Sequence, residues 1–235
     1  MTRPLRYELA ALTAQLAQMC ALAAEAMNHA THALLLADIQ TAEAVIGSEA
    51  DTAAMRATVD ETTYLLLALQ PSAAADLRAV LNAIHIAADA EQMAQLAVQV
   101  ARIARNHHPR PAVPAEIGGR VAELSAFAVA LAGAAQQALL SREPRLFAQL
   151  LHDDGAIGDL HRQLLAVLIG PESTHPTAAG VEVAVVSEMY ERFADRALHI
   201  VRRAASRING QPLSQGKSST EVRTRLTAGL RRKVS

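Results

Sequence analysis

From Leu5 to Ala33 the apolar residues recur in alternating steps of four and three: Leu5, Leu9, Leu12, Leu16, Met19, Ala23, Ala26, Ala30 and Ala33. Only an α-helix carries such positions down one side, and a seam kept up over this length needs another helix along it. The second half of the seam is alanine throughout, so the backbones can approach closely. The rest of the composition points the same way. Hydrophobic residues make up 51% of the 235, but aromatic ones only 3%, and there is no Trp. The core is therefore built from Ala, Leu, Val, Ile and Met, without the β-branched and aromatic enrichment of sheets. An all-α fold is expected.

The helical pattern breaks at Asp38 and resumes from about 41 to 69; "QPSAAADLR" then supplies Pro71 and a cap candidate, Ser72, before a third helix running to about Asn106. "NHHPRPAVPAEIGG" holds three prolines and two glycines and reads as a linker over 107–119. The theme then restarts, with helices at about 116–141, 144–169 and 181–208, the last two separated by "GPESTHPTAAG". The halves match in detail. "ALLLAD" (33–38) aligns with "ALLSRE" (138–143) at an offset of 105, and the third helices align at an offset of 100, placing Glu91 on Glu191, Met93 on Phe193, Ala97 on Ala197 and Arg102 on Arg202. We expect two tandem three-helix bundles made by internal duplication, 1–106 and 116–209, with six helices of roughly 40–50 Å.

The formal net charge of -1 divides unevenly: residues 211–235 carry +5, including both lysines, and leave -6 on the body. The tail 210–235 reads as basic and disordered, with Val222, Leu226 and Leu230 spaced for a short helix on binding. An acidic body argues against a nucleic-acid partner, and the tail allows at most a peripheral membrane contact. The single cysteine, Cys20, lies on the apolar side of the first helix, which suits a buried thiol in a reducing compartment. Glu8 interrupts the stretch that a signal peptide needs apolar, and the apolar run at 126–135 is too short to span a bilayer. A cytoplasmic protein is expected. There is no glycine-rich phosphate loop and no nucleophile elbow, and the histidines, including His29, His32, His107 and His108, lack zinc-site companions. A non-enzyme is expected.

On the last helix Val186, Tyr190, Phe193, Ala197, Ile200 and Ala204 share one side; Glu188, Glu191, Asp195, His199 and Arg202 share the other. Two readings stand for the acidic stripe. It is a solvated face, or it is a cation site, since like charges at Glu191 and Asp195 repel at i,i+4 and a hard divalent ion reverses that cost. Asp89 lies nearer the apolar side of its helix, as a core or capping acid, or as a partner of His85.

The second copy, "MYERFADRALHIVRR", shows a hydrophobic residue followed by Glu191, Arg192 and Asp195; the first, "IAADAEQMAQLAVQVARIA", keeps Glu91 but has Gln92 and Gln95. With the "LLALQPSAAADLR" stretch and "HDDGAIGDLHRQLL" (152–165), the chain over residues 5–208 resembles the PhoU proteins, bacterial regulators of phosphate signalling and uptake, and in particular their mycobacterial PhoY branch. The resemblance implies tandem three-helix bundles and metal, iron or zinc, on surface carboxylates: Glu188, Glu191, Asp195, Asp154 and Asp159 in the second half, Glu91 in the first. It further implies a homodimer that links the ATPase subunit of a phosphate ABC transporter to a sensor histidine kinase by contact, as a negative regulator. The alternatives are a helical carboxylate protein with metal-dependent hydrolase or oxidase activity, and a lipid-associating helical protein. The lack of a Glu-x-x-His motif on two helices of either half argues against a ferritin-like oxidase.

Overall fold

A computed structural model describes residues 3–68, 74–141, 156–169 and 177–206. Among them the structure is all helical, with no strand: α1 (Arg3–Leu36), α2 (Ile39–Gly47), α3 (Glu49–Ala68), α4 (Ala74–His107), α5 (Ala115–Leu140), α6 (Ala156–Ile169) and α7 (Thr177–Ser206). The cap candidate Ser72, the start of the expected fifth helix near Pro144, Asp154 and the tail 210–235 lie outside the described residues.

The first turn of the chain is built by two adjacent residues. Ala37 takes a left-handed backbone, φ 54°, and Asp38 N–H donates back to Ala33 O at 3.2 Å, closing α1 as a Schellman turn. Asp38 then caps α2: its Oδ1 accepts from the Gln40 and Thr41 amides at 3.0 and 3.1 Å, and its Oδ2 from the Thr41 hydroxyl at 2.6 Å. The Thr41 hydroxyl and amide hold the Asp38 carboxyl below its ordinary value. A left-handed alanine carries a Cβ penalty that glycine lacks. Ala37→Gly should therefore raise unfolding free energy by about 1 kcal/mol, read from a urea melt; a loss of stability instead would mean that the turn is held by other contacts.

The expected second helix is two segments. Ser48, at φ -73° and ψ -5°, directs its hydroxyl to Val45 O at 2.8 Å, competing with the helical ladder next to Gly47, and the axis resumes as α3 when Thr52 N–H reaches Ser48 O at 3.2 Å.

α1, α4, α5 and α7 form a central layer, with α1 against α4 and α5, and α7 against α5 and α4; α2 and α3 cover α1 and α4 on one side, and α6 covers α5 and α7 on the other. α1 and α4 run parallel, as Leu9 with Ala79 and Leu16 with Ile86 line one small crevice between them. α7 runs antiparallel to α4: Asp89 meets Arg196 while His107 meets Glu182. The buried apolar residues of both halves form one cluster.

That arrangement explains why α1 buries more than the one seam read from its sequence. Leu9, Leu12, Leu16, Met19, Ala23, Ala30 and Ala33 are buried as expected, and so is a second stripe, Ala17, Cys20, Met27, Thr31 and Leu34. One stripe serves α1's own half and the other serves α5 and α7. Burial also raises the Cys20 thiol to about 12, with the nearby Asp89 charge adding to the shift, so it stays protonated and inert. α1 from Tyr7, and α5, which contains the 126–135 run, are each long and apolar enough to cross a membrane by length and composition. Both lie in the central layer, where their buried residues pack against neighbouring helices.

Candidate functional site on the duplicated third helices

The core side of α7 is as expected: Val186, Tyr190, Phe193, Ala197, Ile200 and Ala204 are all buried. On the opposite side Glu188 and Asp195 are exposed and Glu191 is half-buried. The difference arises because α6 packs along α7 beside Glu191. Gly158 makes the close approach possible: a Cβ there would stand 3.2 Å from Glu191 Oε1 and 3.5 Å from Arg162 Nη1. One turn along α6, His161 Nδ1 lies 3.9 Å from Glu191 Oε2. That is too long for a hydrogen bond. The nitrogen is enclosed and has no hydrogen-bond partner, although the ring as a whole is 14% exposed. Asp159, also on α6, is exposed and ion-paired to Arg162 within its own helix.

The matching residue in the first half meets a different neighbour. Glu91 on α4 faces α3, where Arg56 Nη1 lies 3.7 Å from its Oε2. The same guanidinium donates through Nε to both oxygens of Asp60 at 3.0 Å. Arg56 is only 19% exposed, so the pair is shielded from competing water. Gln95, in the place of Asp195, is exposed.

The six residues named for metal thus separate. Glu191 is brought to α6; Glu188 and Asp195 stay on the open side of α7; Asp159 is engaged by Arg162; Glu91 sits in the other half with Arg56; Asp154 lies outside the described residues. Among the described residues no three His, Cys, Asp or Glu side chains converge as a metal cluster. Two features at Glu191 still fit a cation: an enclosed imidazole nitrogen without a hydrogen bond and a glycine that leaves room beside the carboxylate. His161, Gly158 and Arg56 were not singled out from sequence. The signal for the first two is their i,i+3 spacing on one face of "GDLHRQLL"; Arg56 has no local signal.

Two further polar sets join the halves. Asp89, its side chain 9% exposed, receives Arg196 Nη1 at 3.2 Å, with Arg203 Nε at 3.7 Å and His199 Nδ1 at 4.0 Å. It is a core acid, as one reading held, and it turns to α7. Thr31 Oγ1 lies 2.8 Å from Met27 O, Ser125 Oγ and the Tyr190 hydroxyl. The carbonyl can only accept, so the Thr31 proton goes there, and Ser125 and Tyr190 both donate to Thr31. Burial pushes the Tyr190 hydroxyl pKa up, which keeps it a donor.

Residues 16–104 match the PhoU domain family. Over 203 residues the chain is 44% identical to the phosphate-specific transport system accessory protein PhoU homolog 2 of Mycobacterium tuberculosis, covering 86% of this chain and 95% of that protein. The chain belongs to the PhoU family. Homolog 1 of Mycobacterium leprae is 42% identical, with 86% of this chain and 91% of that one covered. The resemblance to the mycobacterial branch is thus confirmed at the level of whole chains. Two PhoU crystal structures share the fold at low identity. That from Streptococcus pneumoniae superposes with a TM-score of 0.77 at 19% identity, over 90% of this chain and all of that one. That from Pseudomonas aeruginosa gives 0.75 at 21%, over 88% and 99%. The all-α PhoU fold expected from the sequence is the fold observed.

Proposed function

We propose that this PhoU family chain is a cytoplasmic negative regulator of the phosphate-starvation response, acting by contact and without catalysis. The observation that carries the reading is 44% identity across nearly the whole of a phosphate-specific transport system accessory protein. Its partners in this reading are the ATPase subunit of the phosphate ABC transporter and a sensor histidine kinase, and it acts as a homodimer. The outward faces of α4, α6 and α7 are mainly polar, and that of α3 adds alanines with the exposed Tyr64 and Leu65, which suits docking more than chemistry. Partner recognition on them is a matter of charge and shape presented along a helix.

The test is genetic. Deleting the gene in its own host should switch on phosphate-starvation transcripts in phosphate-rich medium, and the full-length chain should restore repression. Unchanged transcripts in the deletion strain would sink the regulatory reading.

A further inference from the structure

We propose that residues 222–230 of the chain's own basic tail lie as a short helix over an exposed apolar strip at the start of α4, formed by Leu77 and Leu81 and flanked by Tyr64 of α3. The inference goes beyond the regulatory reading and does not rest on it.

The strip follows from how α4 is packed. Asp89 turns to α7 and Glu91 to α3, and these two directions bracket the side of α4 left open among the described residues. At 100° per residue Leu77, Leu81 and His85 fall between them, and all three are exposed. Further along the same side stand Gln92, Gln95 and Gln99, also exposed. The open side is thus apolar only in its first turns. α3 runs antiparallel to α4, with Arg56 at Glu91 and Glu49 at Arg102. Tyr64, eight residues after Arg56, therefore comes level with Ala83, eight before Glu91. Tyr64 is 70% exposed, and Leu77 and Leu81 are 41% and 43% exposed. Single apolar residues are ordinary on a surface; three in one place mark a contact.

The tail starts beside this strip. Ser206, the last residue of α7 and ten after Arg196, comes level with Ala79, ten before Asp89. Residues 207–221 span up to about 50 Å when extended, against roughly 10 Å between packed helices, so the segment after them reaches the whole strip. Val222, Leu226 and Leu230 share one side of a helix about 12 Å long, close to the roughly 10 Å of α4 from Leu77 to Ile84. Arg225, Arg231 and Arg232 fall away from that side. Charge favours the same match. The tail's +5 meets a body of -6, and Glu61, one turn before Tyr64 and Leu65, is exposed. So short a segment is helical only where packing supports it, and the strip supplies that packing. The tether gives it an effective concentration of about millimolar, which favours the chain's own tail over that of a second copy.

The chain has no Trp, so one introduced indole reports its own surroundings. In the full-length protein, Leu226→Trp should emit at shorter wavelength, and be quenched less by acrylamide, than Thr224→Trp, which lies on the opposite side of the segment. Leu77→Ser combined with Leu81→Ser should abolish that difference, and so should Tyr64→Ser on the neighbouring helix; the replaced side chains are exposed, so far-ultraviolet circular dichroism should stay unchanged. Dilution should leave the Leu226→Trp emission where it is. Equal emission from Leu226→Trp and Thr224→Trp overturns the docking. A difference that survives both sets of serine substitutions overturns the strip as its place. Emission that moves to longer wavelength on dilution hands the strip to the tail of a second copy and overturns the contact within one chain.

Discussion

Tyr190→Ala should cost about 4 kcal/mol of unfolding free energy, a large share of the 5–15 kcal/mol typical of a domain. Only three Tyr and three Phe serve 235 residues, and Tyr7 and Tyr64 are exposed, so Tyr190 fills space that little else in the core can fill. Truncation leaves a cavity between α1, α5 and α7 and removes a donor to Thr31 Oγ1. The control is Tyr190→Phe, which keeps the ring and deletes only the hydroxyl. Thr31 still donates to Met27 O and accepts from Ser125, so that variant should lose about 1 kcal/mol. Urea melts followed by far-ultraviolet circular dichroism separate the two. Equal losses in both variants would show that the hydroxyl, and not the ring, carries the effect.

Asp89→Ala should cost about 1.5–3 kcal/mol, because the carboxylate is buried and binds charged partners across the two halves. The loss stays below the value for a fully buried ion pair since Arg196 and Arg203, at 36% and 35% exposed, can turn to water once the carboxylate is gone. A double-mutant cycle of Asp89→Ala with Arg196→Ala should give a clear coupling energy, while Glu43→Ala with Arg105→Ala, an exposed pair at 3.6 Å, should give about 0.5 kcal/mol or less. Comparable coupling in the two cycles would reduce Asp89 to an ordinary surface contact.

These residues also mark where sequence reading stops. The limits of α4, α5 and α7 were legible to within a few positions because period and breakers are local signals. The break at Ser48 was missed because Ser and Gly are tolerated inside helices, and only the hydroxyl's hydrogen bond to Val45 O reveals the competition. The polar face of α7 was placed correctly, Glu191 included. What no periodicity carries is the neighbour across the gap: Arg56 for Glu91, His161 for Glu191, Arg196 for Asp89. Those pairs lie 35, 30 and 107 positions apart along the chain and meet only when helices pack. The second buried stripe of α1 was obscured for a related reason. Its small and polar members Ala17 and Thr31 become core positions only because another half lies against them, whereas Cys20 was read as buried from its place among apolar residues.

An interface lined so largely with alanine has shallow ridges, and two such helices can slide past each other by one turn, about 5.4 Å, with little apolar surface lost. The Thr31 hydroxyl removes that freedom. Its bonds to Ser125 and Tyr190 are short and directional, so sliding α1 by one turn would take their shared acceptor away from the Ser125 and Tyr190 hydroxyls in a dry core, while Thr31 keeps its bond to Met27 O. A few polar atoms thereby act as a key that admits only one alignment of the two halves.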